Sequence, residues 1–366
     1  MDTPLKRILW LTMSLALAFG FFHHLPIAQP HNFERLHIFL FNLVSGGTII
    51  LYYTEKKSRT SFKTKLFFAI ALCFAIAAFM EYYLITLLLP LILAAITESI
   101  RVERFGSLLP KALFTAKEPT SRKFHQASLL CLSLGLVISS FAILNSEFTH
   151  WFALNKLTLN TFFLGYSFPV SLISMSVIFA LMKKQNFSPL SPLLKEFSFW
   201  SINLGVIIFF LFILCGWFLP QVFISLLLFA TVSLIYYLFR KEGTKLQQKA
   251  FLVSGILFLV VTSITGIIYI FLEFSNYYEP QYSVPLIRLH AFTALYGWNL
   301  SGLIVIGREP DFPIRLHSKK VLLLHWFTVI LLCPLGYFFP AAAIIAVISY
   351  SWLLFIFLFN SESVRE

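Results

Sequence analysis

Two stretches of this chain share an opening: Arg35-Leu36-His37-Ile38-Phe39 and Arg288-Leu289-His290-Ala291-Phe292 each place an arginine two residues ahead of a histidine at the mouth of an apolar run. A polar side chain inside hydrocarbon is costly unless it finds a partner, and a neutral imidazole is a good ligand for iron, copper or zinc. Two imidazoles at matched depth on different helices can take one iron from opposite faces, which is the bis-histidine arrangement of haem b. Haem carries two propionates, for which arginine is a better bidentate partner than lysine. The residues expected to bind this cofactor are therefore His37 and His290 at the metal, with Arg35 and Arg288 as cations. One geometric condition applies. Residues two apart on a helix point to nearly opposite faces, so each arginine reaches a propionate only from at or before its helix start.

The surrounding residues admit a blander reading. Below His290, Ala294, Gly297 and Ser301 form a stripe of small side chains, and below His37 come Phe41, Val44 and Ser45, with Gly46 and Gly47 adjacent. A small-residue stripe leaves room for a flat macrocycle or for a neighbouring helix. An arginine near a membrane surface can also simply snorkel. A third copy, Arg315-Leu316-His317, lies in a loop with no apolar helix directly attached.

The elements that must position these residues are membrane spans. The chain has 366 residues, is 58% hydrophobic and only 12% charged, and has a mean hydropathy of +0.83, too few polar groups to cover a soluble globule. At about 20 apolar residues per crossing, the sequence predicts an all-α, polytopic bundle of twelve spans, near 8–25, 36–53, 66–80, 82–97, 126–144, 160–181, 199–219, 221–238, 251–271, 286–306, 321–338 and 341–359, with residues 1–366 as a single transmembrane domain. The boundary at Glu81 is the weakest in hydropathy, and charge decides it. Lys56, Lys57, Arg59, Lys63 and Lys65 follow the second span, and Arg101, Arg104, Lys111, Lys117, Arg122 and Lys123 follow the fourth, so the chain must cross twice between them.

All of the 28 basic residues except Arg35, Lys156 and Arg288 fall on one side by this count. The positive-inside rule makes that side the cytoplasm, with both termini there and the chain in the cytoplasmic (inner) membrane. The net charge of +12 thus reads as topology, not nucleic-acid binding, and the lipid bilayer is the expected partner. The first span follows Lys6 and Arg7 as a signal peptide would, but no convincing small-x-small cleavage site precedes His31, and the charge parity requires that it stay.

Other polar residues offer weaker sites. Cys73, Cys131, Cys215 and Cys333 stand singly in apolar segments as packing residues. His23, His24, His31 and His150 cluster on the outer side, where imidazoles could bind copper or lie at the interface without a ligand. His125, His317 and His325 share no assignable face and read as structural. Glu81, Glu147, Glu273 and Glu279 fall in outer loops or at helix ends, so no carboxylate is visible deep in the membrane, which argues against a proton pump working through a buried acid.

With these features the chain resembles the large subunit of the haem-copper oxidase and nitric oxide reductase superfamily. The matching segments are His37-Ile38-Phe39-Leu40-Phe41 with Ser45-Gly46-Gly47, and His290-Ala291-Phe292-Thr293-Ala294-Leu295-Tyr296-Gly297. The resemblance implies twelve helices with cytoplasmic ends and a low-spin haem held by histidines of the second and tenth. It also implies what is missing: His290 has no second histidine two positions away, and spans six and seven contain no histidine for copper and no glutamate for a second iron. The expectation is a single-haem relative, without an oxygen-reducing or nitric-oxide-reducing centre, serving electron transfer, sensing or assembly with other respiratory membrane subunits. A second haem-associated family of twelve-helix proteins, NnrS, is similar in size and histidine content. The rival class is a secondary transporter of a small molecule, with twelve spans in two halves and Pro90 and Pro169 as helix breakers near a midplane site.

Overall fold

In lipid every backbone amide must be satisfied within the protein, and this chain does so with helices. The computed structural model describes residues 1–25, 32–57, 59–152, 163–183, 189–244, 246–275, 279–312, 314, 316 and 318–360. Its helices are α1 (Thr3–Gly20), α2 (Phe33–Glu55), α3 (Phe62–Phe79), α4 (Tyr83–Phe105), α5 (Thr120–Thr149), α6 (Leu164–Ala180), α7 (Ser191–Cys215), α8 (Phe218–Glu242), α9 (Leu246–Glu273), α10 (Ser283–Gly307), α11 (Lys319–Phe338) and α12 (Pro340–Phe359). Among the described residues ten of these are long and apolar enough to cross a membrane; α1 and the shorter α6 fall outside that set. The protein is an all-α membrane bundle.

Local chemistry sets the ends. The side chains of Asp2, Asn32 and Ser61 accept the backbone N–H groups of Leu5, Arg35 and Thr64 and so start α1, α2 and α3. Pro340 starts α12 where a missing N–H costs nothing. Glu81 adopts a left-handed φ of 60° and separates α3 from α4, so the doubtful boundary is a true turn between two helices. Gly216, at φ 67°, ends α7 in the same region without a Cβ penalty.

Burial identifies the centre. The most apolar windows of α2 and α10 are 89% and 78% buried, against 33% for α3, α4, α7 and α11. α6 joins them: Gly46 lies against Val170, and Gly302 sits so close to Ser174 that no Cβ would fit. α5 crosses α6 backbone to backbone at Gly135 and Gly165. Within α2 and α10 the helix widens into π-turns at Phe39–Gly47 and Thr293–Asn299, directly after His37 and His290, and α11 does the same at Phe327–Leu332 after His325. Wide turns of this kind interrupt the regular ladder and are frequent at functional sites.

Buried cations at the lysine-rich end are all matched by carboxylates. Lys123 reaches Glu196 at 2.6 Å and Lys195 reaches Glu242 at 2.6 Å, while Arg101 holds Glu98 and the Leu108 carbonyl at 2.6 Å each. Lys6 and Arg308 converge on Asp311, tying α1 to the end of α10. Burial alone would raise the Asp311 carboxyl, but the two cations outweigh it and hold its pKa below the usual value. A carboxylate with a depressed native pKa stabilises fully above its free value of about 3.9 and loses that contribution as pH falls through the lower one. Asp311→Asn is therefore expected to cost about 1 kcal/mol at neutral pH and to flatten the acid limb of the melting-temperature profile below about pH 4. An unchanged acid limb in the variant would remove this clasp as its cause.

Candidate functional site

His37 and His290 are held by the same device. Nδ1 of His37 lies 2.8 Å from the carbonyl oxygen of Ala16 on α1. Nδ1 of His290 lies 2.9 Å from the carbonyl oxygen of Thr262 on α9. Four residues after each carbonyl comes a glycine, and each imidazole rests on it: a Cβ at Gly20 would stand 2.8 Å from Nδ1 of His37, and one at Gly266 would stand 3.1 Å from Cε1 of His290. Only a glycine lets the ring lie close enough to the helix backbone to reach a carbonyl already serving its own helix. The preceding helix thus provides a notch and an acceptor in both cases.

This contact fixes the tautomer. A carbonyl can only accept, so Nδ1 carries the hydrogen in both rings and Nε2 is left with its lone pair. Among the described residues neither Nε2 has a hydrogen-bond partner. A ring nitrogen that donates to a backbone carbonyl orients the imidazole and raises the basicity of the opposite nitrogen, the usual support of a metal-ligating histidine.

The second contact of each ring differs. The Tyr296 hydroxyl of α10 lies 2.9 Å from Nδ1 of His37, sharing its hydrogen with Ala16. Thr265 Oγ1 lies at 3.4 Å from Nδ1 of His290 while donating into α9. Tyr296 is in turn fixed from behind, because Nε2 of His325 donates to its carbonyl at 2.7 Å. His37 therefore touches α1 and α10, whereas the described contacts of His290 are with α9; no described contact joins the two imidazoles directly.

The two arginines part company. The guanidinium of Arg288 bonds Glu34 of α2, stacks 4.2 Å above the Tyr337 ring and meets its hydroxyl at 3.2 Å. Arg35 instead lines a cavity with Phe74, Tyr83, Ser139, Glu147 and Tyr166. Both arginines lie inside helices, Arg35 in α2 and Arg288 in the segment Pro280–Phe292, so the condition of standing at or before the helix start is not met. The helical period explains it: two residues from a buried histidine is nearly the opposite face.

The remaining histidines are engaged elsewhere. Nε2 of His23 and of His24 lie 2.8 Å from the carbonyls of Tyr337 and Gly336, satisfying the open end of α11. His125 pairs with Thr54 at 2.8 Å and stacks on Tyr53. His150 is exposed and ends α5 with a left-handed φ of 51°. His31, Lys156, Arg315 and His317 lie outside the described residues. Among the described residues no group of three or more histidine, cysteine or acidic side chains gathers as a metal site.

Motif spacing did not point to a buried amide node at the centre. Asn299 Nδ2 donates to Ser167 Oγ at 3.0 Å and approaches Asn42 Oδ1 at 3.5 Å, Ser171 donates to Asn299 Oδ1 at 2.9 Å, and the Trp298 indole donates to Ser171 at 2.9 Å. Among the described residues, Asn42 Nδ2 is buried with no partner. The available signal was one asparagine within the apolar run of each histidine-bearing helix. No protein family, no curated protein and no solved structure matches this chain.

Proposed function

We propose that the chain binds one haem b between α2 and α10, which Nε2 of His37 and of His290 would hold, and serves electron transfer, sensing or the assembly of a respiratory membrane complex. The observation that carries this reading is the twofold recurrence of carbonyl, glycine notch and Nδ1-anchored imidazole, with neither Nε2 bonded to a described residue. The chemistry at the iron suits the group, with two neutral imidazoles each oriented by a backbone carbonyl, whereas Arg288 is held by Glu34 and Arg35 borders a separate cavity. When bound, the iron would supply a one-electron couple. The chain's own contribution is to fix two tautomers, hold two rings and exclude bulk water. Twelve crossings, with both termini in the cytoplasm of a cell whose inner membrane holds the protein, complete the proposal.

The test is spectroscopic. Membranes containing the protein, reduced with dithionite, are expected to show a b-type haem difference spectrum in proportion to the protein present. Purified protein that is folded and carries no haem after supplementation would overturn the reading. One observation favours a second reading in that event: the partnerless amide of Asn42 at the centre of the bundle is the kind of polar group that a midplane substrate site in a secondary transporter uses.

A further inference from the structure

Three helices each bring one polar side chain to the same fully buried region. Tyr296 comes from the π-turn of α10, Cys333 follows directly after the π-turn of α11, and Tyr350 lies in the middle of α12. None of the three has any solvent exposure. The rings of Tyr296 and Tyr350 meet edge to face with centroids 4.8 Å apart, and the two hydroxyls and the thiol are all within electrostatic range of one another.

The hydroxyl hydrogens of this group lack acceptors. Nδ1 of His37 carries a hydrogen shared between the Ala16 carbonyl and the Tyr296 oxygen, so Tyr296 accepts there and its own hydrogen is directed elsewhere. No oxygen of the described residues takes that hydrogen. Among the described residues the Tyr350 hydroxyl has no hydrogen-bond partner at all. A phenol buried in this way is costly, and phenylalanine would fill the same space without the cost. The chain has 43 phenylalanines against 14 tyrosines, so packing alone does not account for a hydroxyl at position 350. Two phenols that each have a hydrogen to give, and that do not bond each other, share one complement: a small oxygen that accepts from both. Water is such a group, it makes about three bonds when buried, and a hydrogen of its own can go to the Cys333 sulfur, a weak acceptor.

We propose that a water molecule is bound between Tyr296 and Tyr350, accepting a hydrogen bond from each hydroxyl and donating to the sulfur of Cys333. It ties α12 to the network that runs through Tyr296 and His37 to α1. A hydroxyl that donates its hydrogen becomes a better acceptor, so this water also strengthens the hold of Tyr296 on the imidazole. The inference does not depend on haem.

The experiment is proton-detected NMR on the full-length protein in bilayers, deuterated except at its tyrosine rings. Magnetisation is expected to pass from water to the ring protons beside the hydroxyls of Tyr296 and Tyr350, and Tyr350→Phe should remove the Tyr296 cross-peak along with its own. Thermal unfolding supplies a test by sign. A stranded hydroxyl at position 350 would make Tyr350→Phe unfold at a higher temperature, whereas loss of the bridge leaves the Tyr296 hydrogen without its acceptor and lowers the midpoint. Because the water departs in either single variant, Tyr296→Phe and Tyr350→Phe combined should lower the midpoint by less than the sum of the two. Absence of both cross-peaks in the unmodified protein, an unchanged or raised midpoint in Tyr350→Phe, or additive losses in the double variant would overturn the proposal.

Discussion

Alanine at His37 or at His290 is expected to remove the reducible haem spectrum altogether while sparing the fold. Both imidazoles would be needed to hold the haem, so the two single variants should look alike and the double variant should add nothing. The fold should survive because neither substitution strands a backbone donor, and the buried Tyr296 hydroxyl, left without its described partner in His37→Ala, costs about 1–3 kcal/mol. The carbonyls of Ala16 and Thr262 keep their own helical amides, and the lost ring leaves a small void worth about 2 kcal/mol. His325→Ala is the matched control. It removes a fully buried imidazole that donates to the Tyr296 carbonyl, so it should cost about 1–3 kcal/mol of stability and leave the spectrum in place. A spectrum of full intensity in either the His37 or the His290 variant would end the bis-histidine reading.

The second large effect is expected at two glycines that touch no cofactor. Gly20→Val and Gly266→Val leave every candidate ligand in place but fill the notches on which the imidazoles lie. The ring must then swing away from its carbonyl, losing the hydrogen bond that sets its tautomer, and changes of this second-shell kind lower metal affinity by about 10–100-fold. The alanine variants sharpen the test. At Gly20 a Cβ would meet Nδ1 at 2.8 Å, a separation that real Cβ atoms do not tolerate, whereas at Gly266 the nearest ring atom is at 3.1 Å and can yield by a few tenths of an ångström. Gly20→Ala should therefore weaken haem retention more than Gly266→Ala, measured as haem-to-protein ratio after dilution. The reverse order would show that the notch on α1 does not position His37.

Much of the scaffold could be read from charge. The parity of basic loops separated α3 from α4, and the structure places a left-handed Glu81 at that point. The repeated Arg-Leu-His opening singled out α2 and α10, which are the most buried of the ten candidate spans. What spacing alone could not supply was direction. Arg35 and Arg288 occupy identical positions relative to their histidines, yet one borders a cavity and the other is clasped by Glu34, because each is answered by the chemistry of a different neighbouring helix. Ala16 and Thr262 were invisible for a related reason: they act through backbone oxygens, and any residue type has one. A search for a glycine on the helix before each histidine would have reached Gly20 and Gly266, but only three-dimensional packing shows that those glycines face the rings. Asn42 and Asn299 were legible as polar residues in apolar runs, and their meeting across two helices was not.

The notch arrangement also bears on how the protein is made. Each imidazole takes its hydrogen bond from the helix translated immediately before it, so each half is a closed hairpin with low contact order and can be completed as it leaves the ribosome. Six further helices separate the first finished hairpin from the second. The chain can therefore present a shaped imidazole early in synthesis, and only a polypeptide translated through α10 can present two.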